Sequence, residues 1–600
     1  MAPELPFEDS RRLTGGNLFF ASTGAVLDTV GPPPDAALLE DWRLRVMRAR
    51  ALLGWRETGL VARRHARGVS LALAAPLDSL FVATEINEWA YCSALAAREP
   101  GRTAALEAAL LAEALENAAD PATVVPPVLE ERAALVRIER LAAAERNGML
   151  TALVATAGAL GLPYTLDEEA LTLGAGKSGR SFPMTALPAV DAVEWSALAD
   201  IPTALVTGSN GKTTTVRLLA ACARAHGWHA GYNCTDGVFL DGETLASGDY
   251  SGPAGARRVL REPRTEAAIL ETARGGILRR GIAVSQARVA IVTNVSSDHF
   301  GEYGIDDLEG LADAKLAVAG LLVDGGRLVL NADDALLVAR ATELPARFGR
   351  SVALAWFALD ADAGLLKAAR ARGEPTAGLR AGRLVLEEGG RTADLGAIAA
   401  LPLSLGGSAL YNIANLAGAA LGAVALGIPA ATVARVFASF GRLPGDNPGR
   451  MMRFASGGVQ SIVDYAHNPA GLRGLLEVAE HLRERRGRLA VLLGHAGNRQ
   501  DADLVAVAEV VAGFGPELVV VKEDEAHLRG RPPGEIPRIL RDALLAAGLD
   551  AGKVELAPSE LEAARRAIAW ARPGDVLALP VHSASARAAV LELLEQPRRR

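Results

Sequence analysis

The spacing of apolar and polar positions changes partway along the chain. Residues 1–200 are rich in Ala and Leu at helical spacing, with breaks at the Gly/Pro clusters 31–34 and 121–127. From Ile201 onward, short apolar runs such as 267–270 alternate with helical stretches. Strands that alternate with helices predict a parallel sheet whose strands are joined by helical crossovers.

A break at 441–449, dense in Gly, Pro, Asp and Asn, predicts an interdomain linker. Beyond it, the apolar runs 461–467, 488–495, 517–524 and 575–582 again alternate with helical segments. We therefore predict an α/β protein of three domains. These are a mainly helical or α+β N-terminal domain (1–200), a central parallel-sheet ATPase domain (201–443) and a Rossmann-like C-terminal α/β domain (444–600).

Composition narrows the class of protein. Half of the 600 residues are apolar, which is enough for several cores, and no apolar run approaches the roughly 20 residues of a membrane span. A net charge of -7 argues against a nucleic-acid surface. The acidic, polar N-terminus does not resemble a secretory signal, and the three cysteines lack CxxC spacing. We therefore predict a cytoplasmic globular protein with no nucleic-acid or membrane partner.

A glycine-rich loop, GSNGKTTT (208–215), stands between the apolar run 201–206 and a helical pattern. In such a loop, backbone N–H groups close around phosphate oxygens and the following helix directs its positive end at them. Lys212 adds a cation, and the Thr213 hydroxyl can hold Mg²⁺. The loop therefore predicts a nucleotide site formed by Gly208, Asn210, Gly211, Lys212, Thr213 and Thr214.

Polar residues follow two further strand-like runs of the same region. Glu271 follows the run 267–270, and Asp298 and His299 come after the next run. Ligands bind at the carboxyl ends of strands in open α/β sheets. A carboxylate, a neutral imidazole and a hydroxyl can complete the coordination of Mg²⁺ that bridges nucleotide phosphates. We therefore predict Thr213, Glu271 and His299 as metal ligands.

Four motifs in this order, GSNGKTTT, LETARGGILRRG, TNVSSDH and DYAHNP, resemble the Mur ligase family. Within that family, TDGVFLDGE (235–243) and KEDEAHLRGRPPGE (522–535) resemble the ligase module of cyanophycin synthetases. The resemblance covers residue 201 to about 595. It implies an amide ligase in which ATP converts a carboxylate into an acyl phosphate, and an amine then attacks it, releasing phosphate.

The resemblance also implies roles for residues beyond the loop. Asn412 or Asn415 would contact the adenine, Asp464 the ribose, and Arg450, at the hinge between domains, the phosphates. His467 would contact the nucleotide. The catalytic residues implied in this way are Lys212, Glu271, His299, Lys315 and Arg450.

Lys315 occupies the place where many Mur ligases carry a lysine carbamylated by CO₂. The carbamate would turn a cation into a ligand for a second metal ion. An ordinary solvated lysine on the predicted helix GLADAKLAV is the alternative.

Charged residues after C-terminal strands are expected to contact the substrates. Glu523 and Asp524 would suit a cationic amine such as arginine, and Arg529 and Arg531 would suit a carboxylate; a solvated charged loop is the alternative. The remaining residues expected to contact substrate are Arg274, Asn468 and Arg499.

The segment 160–186 resembles the start of the ATP-grasp domain of cyanophycin synthetases. The glycine-rich loop 208–215 (the P-loop) and the strand before it follow so closely that there is no room for the rest of that domain. We interpret the segment as a remnant, and we predict single-step ligation of amino acid or peptide substrates rather than polymerisation. Related synthetases suggest a homodimer or homotetramer. Two alternatives stay open: another Mur-type activity, such as poly-γ-glutamate or folate-like extension, and a catalytically silent binding subunit gated by ATP.

Overall fold

The computed structural model describes residues 5–297, 300–497, 499–523 and 528–595. Within these ranges the chain forms four β-sheets. None of the helices in the described ranges has the length and apolar character needed to cross a membrane. The α/β class predicted from the sequence is confirmed.

The N-terminal part packs helices against an antiparallel sheet of strand order β1-β2-β4-β3. Trp42, Leu71 and Ile86 lie in its buried core. Its elements are β1 (Phe7–Leu13), β2 (Gly24–Thr29), α1 (Ala36–Leu53), β3 (Leu60–His65), β4 (Gly68–Ala74), α2 (Leu80–Arg98), α3 (Thr103–Asn117), α4 (Glu131–Glu145) and α5 (Gly148–Ala159).

A small antiparallel sheet, β5 (Tyr164–Leu166), β6 (Ala170–Leu173) and β7 (Arg180–Pro183), contains most of the segment that resembles an ATP-grasp remnant. The glycine-rich residues 174–179 of this segment form a turn that leads into β7 rather than into a helix. Lys177 in that turn pairs with Glu266 at 2.7 Å.

The central sheet has eleven strands in the order β11-β10-β9-β12-β8-β13-β14-β15-β16-β17-β18. Strands from β9 to β16 in that order are parallel, and antiparallel hairpins flank them. Apolar clusters cover both faces, which explains why its strands read as continuous apolar runs. The elements are β8 (Thr203–Thr207), α6 (Lys212–His226), β9 (Ala230–Cys234), β10 (Gly237–Leu240), β11 (Glu243–Ser247), α7 (Pro253–Arg261), β12 (Ala267–Glu271), α8 (Arg274–Arg280), β13 (Ala287–Val292), α9 (Leu308–Leu316), β14 (Leu322–Asn331), α10 (Ala335–Ala341), α11 (Leu344–Phe348), β15 (Ala353–Asp360), α12 (Gly364–Ala371), β16 (Thr376–Arg380), β17 (Arg383–Glu388), β18 (Arg391–Ala397), α13 (Leu410–Ala425) and α14 (Ala430–Phe437).

The C-terminal sheet has six strands in the order β19-β20-β24-β21-β22-β23, all parallel except β19. Apolar clusters again lie on both faces. The elements are β19 (Met452–Ser456), β20 (Val459–Asp464), α15 (Pro469–Leu482), β21 (Leu489–Leu493), α16 (Asp501–Gly513), β22 (Leu518–Lys522), α17 (Glu535–Ala546), β23 (Val554–Ala557), α18 (Glu560–Trp570), β24 (Val576–Pro580) and α19 (Ala584–Glu595).

Candidate active site

A cleft of about 1720 Å³ lies where the N-terminal, central and C-terminal sheets approach one another. The P-loop and the carboxyl ends of β12 and β20 open into it. The sequence-predicted residues that line the cleft are Gly208, Asn210, Gly211, Lys212, Thr213, Thr214, Glu271, Arg274, Lys315, Asn412, Asn415, Arg450, Asp464, His467, Arg499 and Arg529.

The loop between β8 and α6 fits its surroundings only with glycine at its two ends. Gly208 and Gly211 have φ angles of 146° and 83°, in the left-handed region that favours glycine. A Cβ at Gly208 would lie 1.9 Å from the Thr293 hydroxyl oxygen, and one at Gly211 would lie 2.2 Å from the Asn415 amide oxygen. The loop is therefore wedged between the end of β13 and helix α13.

Lys212 begins α6 and folds back over this loop. Its Nζ donates to the carbonyl oxygens of Gly208 and Ser209 at 3.1 and 3.2 Å. The first N–H groups of a helix have no partner within the helix, so the start of α6 offers them to an anion together with the lysine charge. This is the geometry of a phosphate-binding loop.

Gly211→Ala tests whether the P-loop requires glycine where it contacts Asn415. We expect loss of measurable ATP binding, because the new Cβ meets Asn415 and a left-handed residue other than glycine costs about 1–3 kcal/mol. Gly227→Ala is the matched control: Gly227 caps the other end of α6 with φ 106°, and a Cβ added there would have no neighbouring atom within 4 Å. Calorimetric titration with ATP should distinguish the two variants. Equal affinities for ATP would show that the close contact of Gly211 with Asn415 does not matter for nucleotide binding.

Glu271 ends β12 with a side chain that is almost fully buried. The Thr213 hydroxyl donates to one carboxylate oxygen at 2.8 Å, and the Thr235 hydroxyl lies 3.4 Å from the other. Burial raises the pKa of Glu271, and the nearby Lys212 charge and the hydrogen bond from Thr213 offset this only in part. The carboxylate is thus held in a site where a further cation would stabilise its charged form.

The Thr213 hydroxyl and the Glu271 carboxylate fit Mg²⁺ as ligands. The described residues contain no cluster of three or more His, Cys, Asp or Glu able to hold a metal. Mg²⁺ that accompanies a nucleotide needs no such cluster, since phosphates and waters supply most of its ligands. Glu271 and Thr213 supply two adjacent oxygen atoms beside the P-loop. The predicted third ligand, His299, lies outside the described residues.

Lys315 lies on α9 and lines the same cleft, with only 2% of its surface exposed. The alternative of a solvated helix lysine is therefore wrong, because the helix turns this side chain inward. Its carbamylation stays a prediction.

Two asparagines of α13 line the cleft beside the P-loop. Asn415 donates to the Asn412 amide oxygen at 3.3 Å, and Asn412 donates to the Leu403 carbonyl at 3.1 Å. This chain of hydrogen bonds fixes the orientation of both amides. The contact of Asn415 with Gly211 brings the pair against the loop.

Asp464 ends β20 and shapes the turn that follows. Its two carboxylate oxygens accept the backbone N–H groups of Met451 and Ala466, each at 2.7 Å. Burial raises the pKa of Asp464, and Arg450 partly offsets it. The Arg450 guanidinium lies 4.3 Å from the centre of the Tyr465 ring. Arg450 belongs to the segment between the central and C-terminal sheets, and its positive charge lines the cleft.

The C-terminal part contacts the P-loop directly through Asn468. Asn468 caps α15 by accepting the Gly471 N–H at 2.8 Å, and its amide nitrogen donates to the Asn210 side chain at 3.0 Å. It thus binds the loop itself, although it was predicted to contact substrate. Neighbouring His467 lines the cleft.

Besides Asn468, two described residues predicted to contact substrate do not line the cleft. The Glu523 carboxylate accepts the N–H of Gly534, where α17 begins. Arg531 pairs with Asp501 at 2.8 Å and with Glu535 at 2.9 Å. Their charges therefore hold the connection between β22 and α17. Asp524 lies outside the described residues.

Sequence reasoning missed the ionic contact that joins the central and C-terminal parts. Asp236 pairs with Arg217 of α6 at 2.7 Å and with Arg587 of α19 at 2.6 Å. Burial raises the pKa of Asp236, but Arg450, Arg217 and Arg587 outweigh it and hold that pKa below its ordinary value. Asp236 lies in the motif TDGVFLDGE, which was a usable signal, whereas Arg587 lies in no motif.

Two protein-family models match the chain. The Mur ligase middle domain matches residues 206–368, and the Mur ligase glutamate ligase domain matches residues 449–579. Cyanophycin synthetase from Synechocystis sp. is 35% identical over 345 residues, which are 58% of this chain and 38% of that protein. The chain thus spans less than half the length of this relative.

More distant matches include a muramoyl-peptide ligase and a solved structure of FolC. UDP-N-acetylmuramoyl-L-alanyl-D-glutamate–2,6-diaminopimelate ligase from Corynebacterium efficiens is 27% identical, over 62% of this chain and 67% of that protein. The solved structure of E. coli FolC with ADP aligns with a TM-score of 0.47 at 18% identity, covering 66% of this chain and 89% of that one. The two family matches thus follow one another along the chain: residues 206–368 are similar to the Mur ligase middle domain, and residues 449–579 are similar to the Mur ligase glutamate ligase domain.

Proposed function

We propose that the chain is an ATP-dependent amide ligase that joins a carboxylate to an amino acid amine and releases ADP and phosphate. One observation carries this proposal: the P-loop lysine, the buried Glu271–Thr213 pair and Arg450 face a single cleft. The names of the relatives support the same class of reaction.

The first step would transfer the γ-phosphoryl group of ATP to the substrate. A carboxylate oxygen attacks the γ-phosphorus, and the bond to the ADP oxygen breaks with its electron pair. Lys212 and Arg450 would stabilise the negative charge on the transferring group. Mg²⁺, when bound at Thr213 and Glu271, neutralises phosphate charge.

The second step would form the amide. The neutral amine attacks the acyl carbon, phosphate leaves with the electron pair of the C–O bond, and the nitrogen loses a proton. Water competes with the amine for the acyl phosphate, so the cleft must close. The contacts of Asn468 with Asn210 and of Arg587 with Asp236 join the C-terminal part to the central part and would favour such closure.

We propose single-step ligation, with a substrate carboxylate held by Arg274, Arg499 or Arg529 of the cleft. The test is incubation of the full chain with Mg²⁺, ATP and pairs drawn from pooled amino acids and short acidic peptides. ADP release that requires both members of a pair, with a product mass equal to their sum minus water, is the expected result. Failure of every pair would favour the silent binding subunit, and repeated additions would favour chain extension.

Lys315→Ala tests the proposed carbamate. We expect turnover to fall about 10²-fold or more, because the proposed ligand for a second metal ion is removed. Added bicarbonate or short carboxylates should restore part of the activity, since they can occupy the vacated space. The readout is the rate of ADP release with and without acetate. Loss of activity that no carboxylate relieves would contradict the carbamate.

A further inference from the structure

The N-terminal sheet is joined to the central part by backbone hydrogen bonds. The N–H of Thr14 donates to the Arg280 carbonyl, and the N–H of Ile282 donates to the Gly16 carbonyl, both at 2.8 Å. The backbones approach so closely that a Cβ at Gly15 would lie 2.0 Å from the Ile282 oxygen. The two parts therefore form a tight, specific contact.

This contact includes a tight loop at 301–306, which precedes α9. The N–H of Gly301 donates to the Ile305 carbonyl at 2.8 Å, which closes the loop. Gly304 and Tyr303 have φ angles of 67° and 54°. A tyrosine in this region is strained and persists only when its surroundings hold it there.

Residues of the N-terminal sheet and its connections hold the 301–306 loop in this conformation. Arg63 of β3 donates to the Gly304 carbonyl at 2.5 Å, and the Arg11 guanidinium of β1 lies 4.7 Å from the Tyr303 ring centre. The N–H of Ala66 donates to the Asp306 carboxylate at 2.9 Å. The loop therefore takes its shape from a different domain.

The loop is also a wall of the cleft. Residues 301–304 line it together with Asp28 and His65 of the N-terminal sheet. Within the loop, the carboxylate of Glu302 pairs with Arg274. Arg274 begins α8, three residues after Glu271, and lines the cleft. A continuous set of contacts thus leads from β3, through the loop, to a cleft arginine.

We propose that Arg63 is a positioning residue of the ligase site. It fixes the 301–306 loop, the loop fixes Glu302, and Glu302 orients Arg274 toward the substrate carboxylate. This inference rests on the proposed function for the role of Arg274. It makes the N-terminal domain part of the active site, with the task of setting the affinity for the carboxylate substrate.

The test compares Arg63→Ala with Arg64→Ala. Arg64 is the next residue of β3, is exposed and points to the opposite side of the strand. We expect Arg63→Ala to raise KM for the carboxylate substrate roughly 10- to 100-fold, because small misplacements of binding groups have effects of this size. KM for ATP should stay within about twofold. Arg63→Lys, which can still donate to Gly304, should recover part of the loss.

Hydrogen exchange gives a readout that does not depend on activity. Arg63→Ala should speed amide exchange in residues 300–307 while leaving α6 unchanged, and Arg64→Ala should do neither. Exchange in Arg63→Ala equal to that of the parent chain would overturn the positioning role. So would a parallel rise in KM for ATP, which indicates general destabilisation. A parent chain that releases no ADP with any substrate would instead refute the proposed function.

Discussion

Replacing Lys212 by alanine is expected to lower the rate of ADP release by about 10²- to 10³-fold, the usual effect of removing one group that stabilises transition-state charge. Lys212 is the cation at the start of α6, and its Nζ already lies over the loop carbonyls. A γ-phosphate in the loop would attract it away from those carbonyls. The effect should fall mainly on kcat, since charge on the transferring group is greatest in the transition state.

The chain provides a matched control in its second glycine-rich turn, GAGKSGRS (174–181). Lys177 of that turn is exposed and paired with Glu266, and a single 3-10 turn (Gly176–Ser178) followed by β7 stands where the first loop has an α-helix. We expect Lys177→Ala to leave ADP release unchanged. Steady-state kinetics of both variants at saturating ATP would check this. If Lys177→Ala lost as much activity as Lys212→Ala, the assignment of the nucleotide to the first loop would be wrong.

The P-loop could be predicted because its chemistry is local. The glycines, Lys212 and Thr213 lie within a few residues, between a continuous apolar run and a clear helical pattern. Glu271 could also be predicted from the sequence, since the carboxyl ends of the strands of a parallel sheet meet at one edge. The residues after β13 were less predictable. This strand stops at Val292, and the side chains that follow it hold the P-loop: Thr293 and Asn294 donate to the Asn210 carbonyl.

Charge alone did not identify substrate contacts. Glu523 and Arg531 follow a strand, as the residues of a binding loop do. However, the Glu523 carboxylate accepts a hydrogen bond at the start of α17, and Arg531 forms ion pairs with Asp501 and Glu535. A helix start offers unpaired N–H groups whatever its sequence, so such competition is invisible before the fold is known.

Contacts between domains were the least predictable. Asp236 and Arg587 are 351 residues apart, and Arg63 and Gly304 are 241 residues apart. Each pair joins residues that belong to different sheets or to the loops beside them, and no period or motif links the two partners. The part of the site that depends on domain docking therefore had to come from the structure.

Glu271→Gln is expected to lower the rate of ADP release by about 10²-fold or more and to make the nucleotide-free protein more stable. The activity falls because an amide is a weak ligand for Mg²⁺ and cannot balance the Lys212 charge. Stability rises because burial disfavours the charged carboxylate, as the raised pKa of Glu271 indicates. Functional groups held in unfavourable surroundings commonly show this opposition of activity and stability.

The stability advantage of Glu271→Gln depends on pH. Because the folded-state pKa of Glu271 is raised, the unfolded chain loses its proton first as pH increases above the ordinary value of 4.5. Between the two pKa values the folded state binds more protons, so its stability falls with rising pH. Glutamine does not titrate, and the Tm advantage of Glu271→Gln should therefore grow across this window and stay constant above it.

Melting curves with and without Mg²⁺ and ATP complete the experiment. Ligand that binds only the folded state raises Tm, so the parent chain should gain more from Mg²⁺ and ATP than Glu271→Gln does. Glu243→Gln is the matched control, because that carboxylate is 62% exposed and pairs at the surface with Arg264. It should change neither activity nor the pH profile. A Glu271→Gln protein that is less stable than the parent at pH 8 without nucleotide would mean that the carboxylate serves the fold rather than the metal.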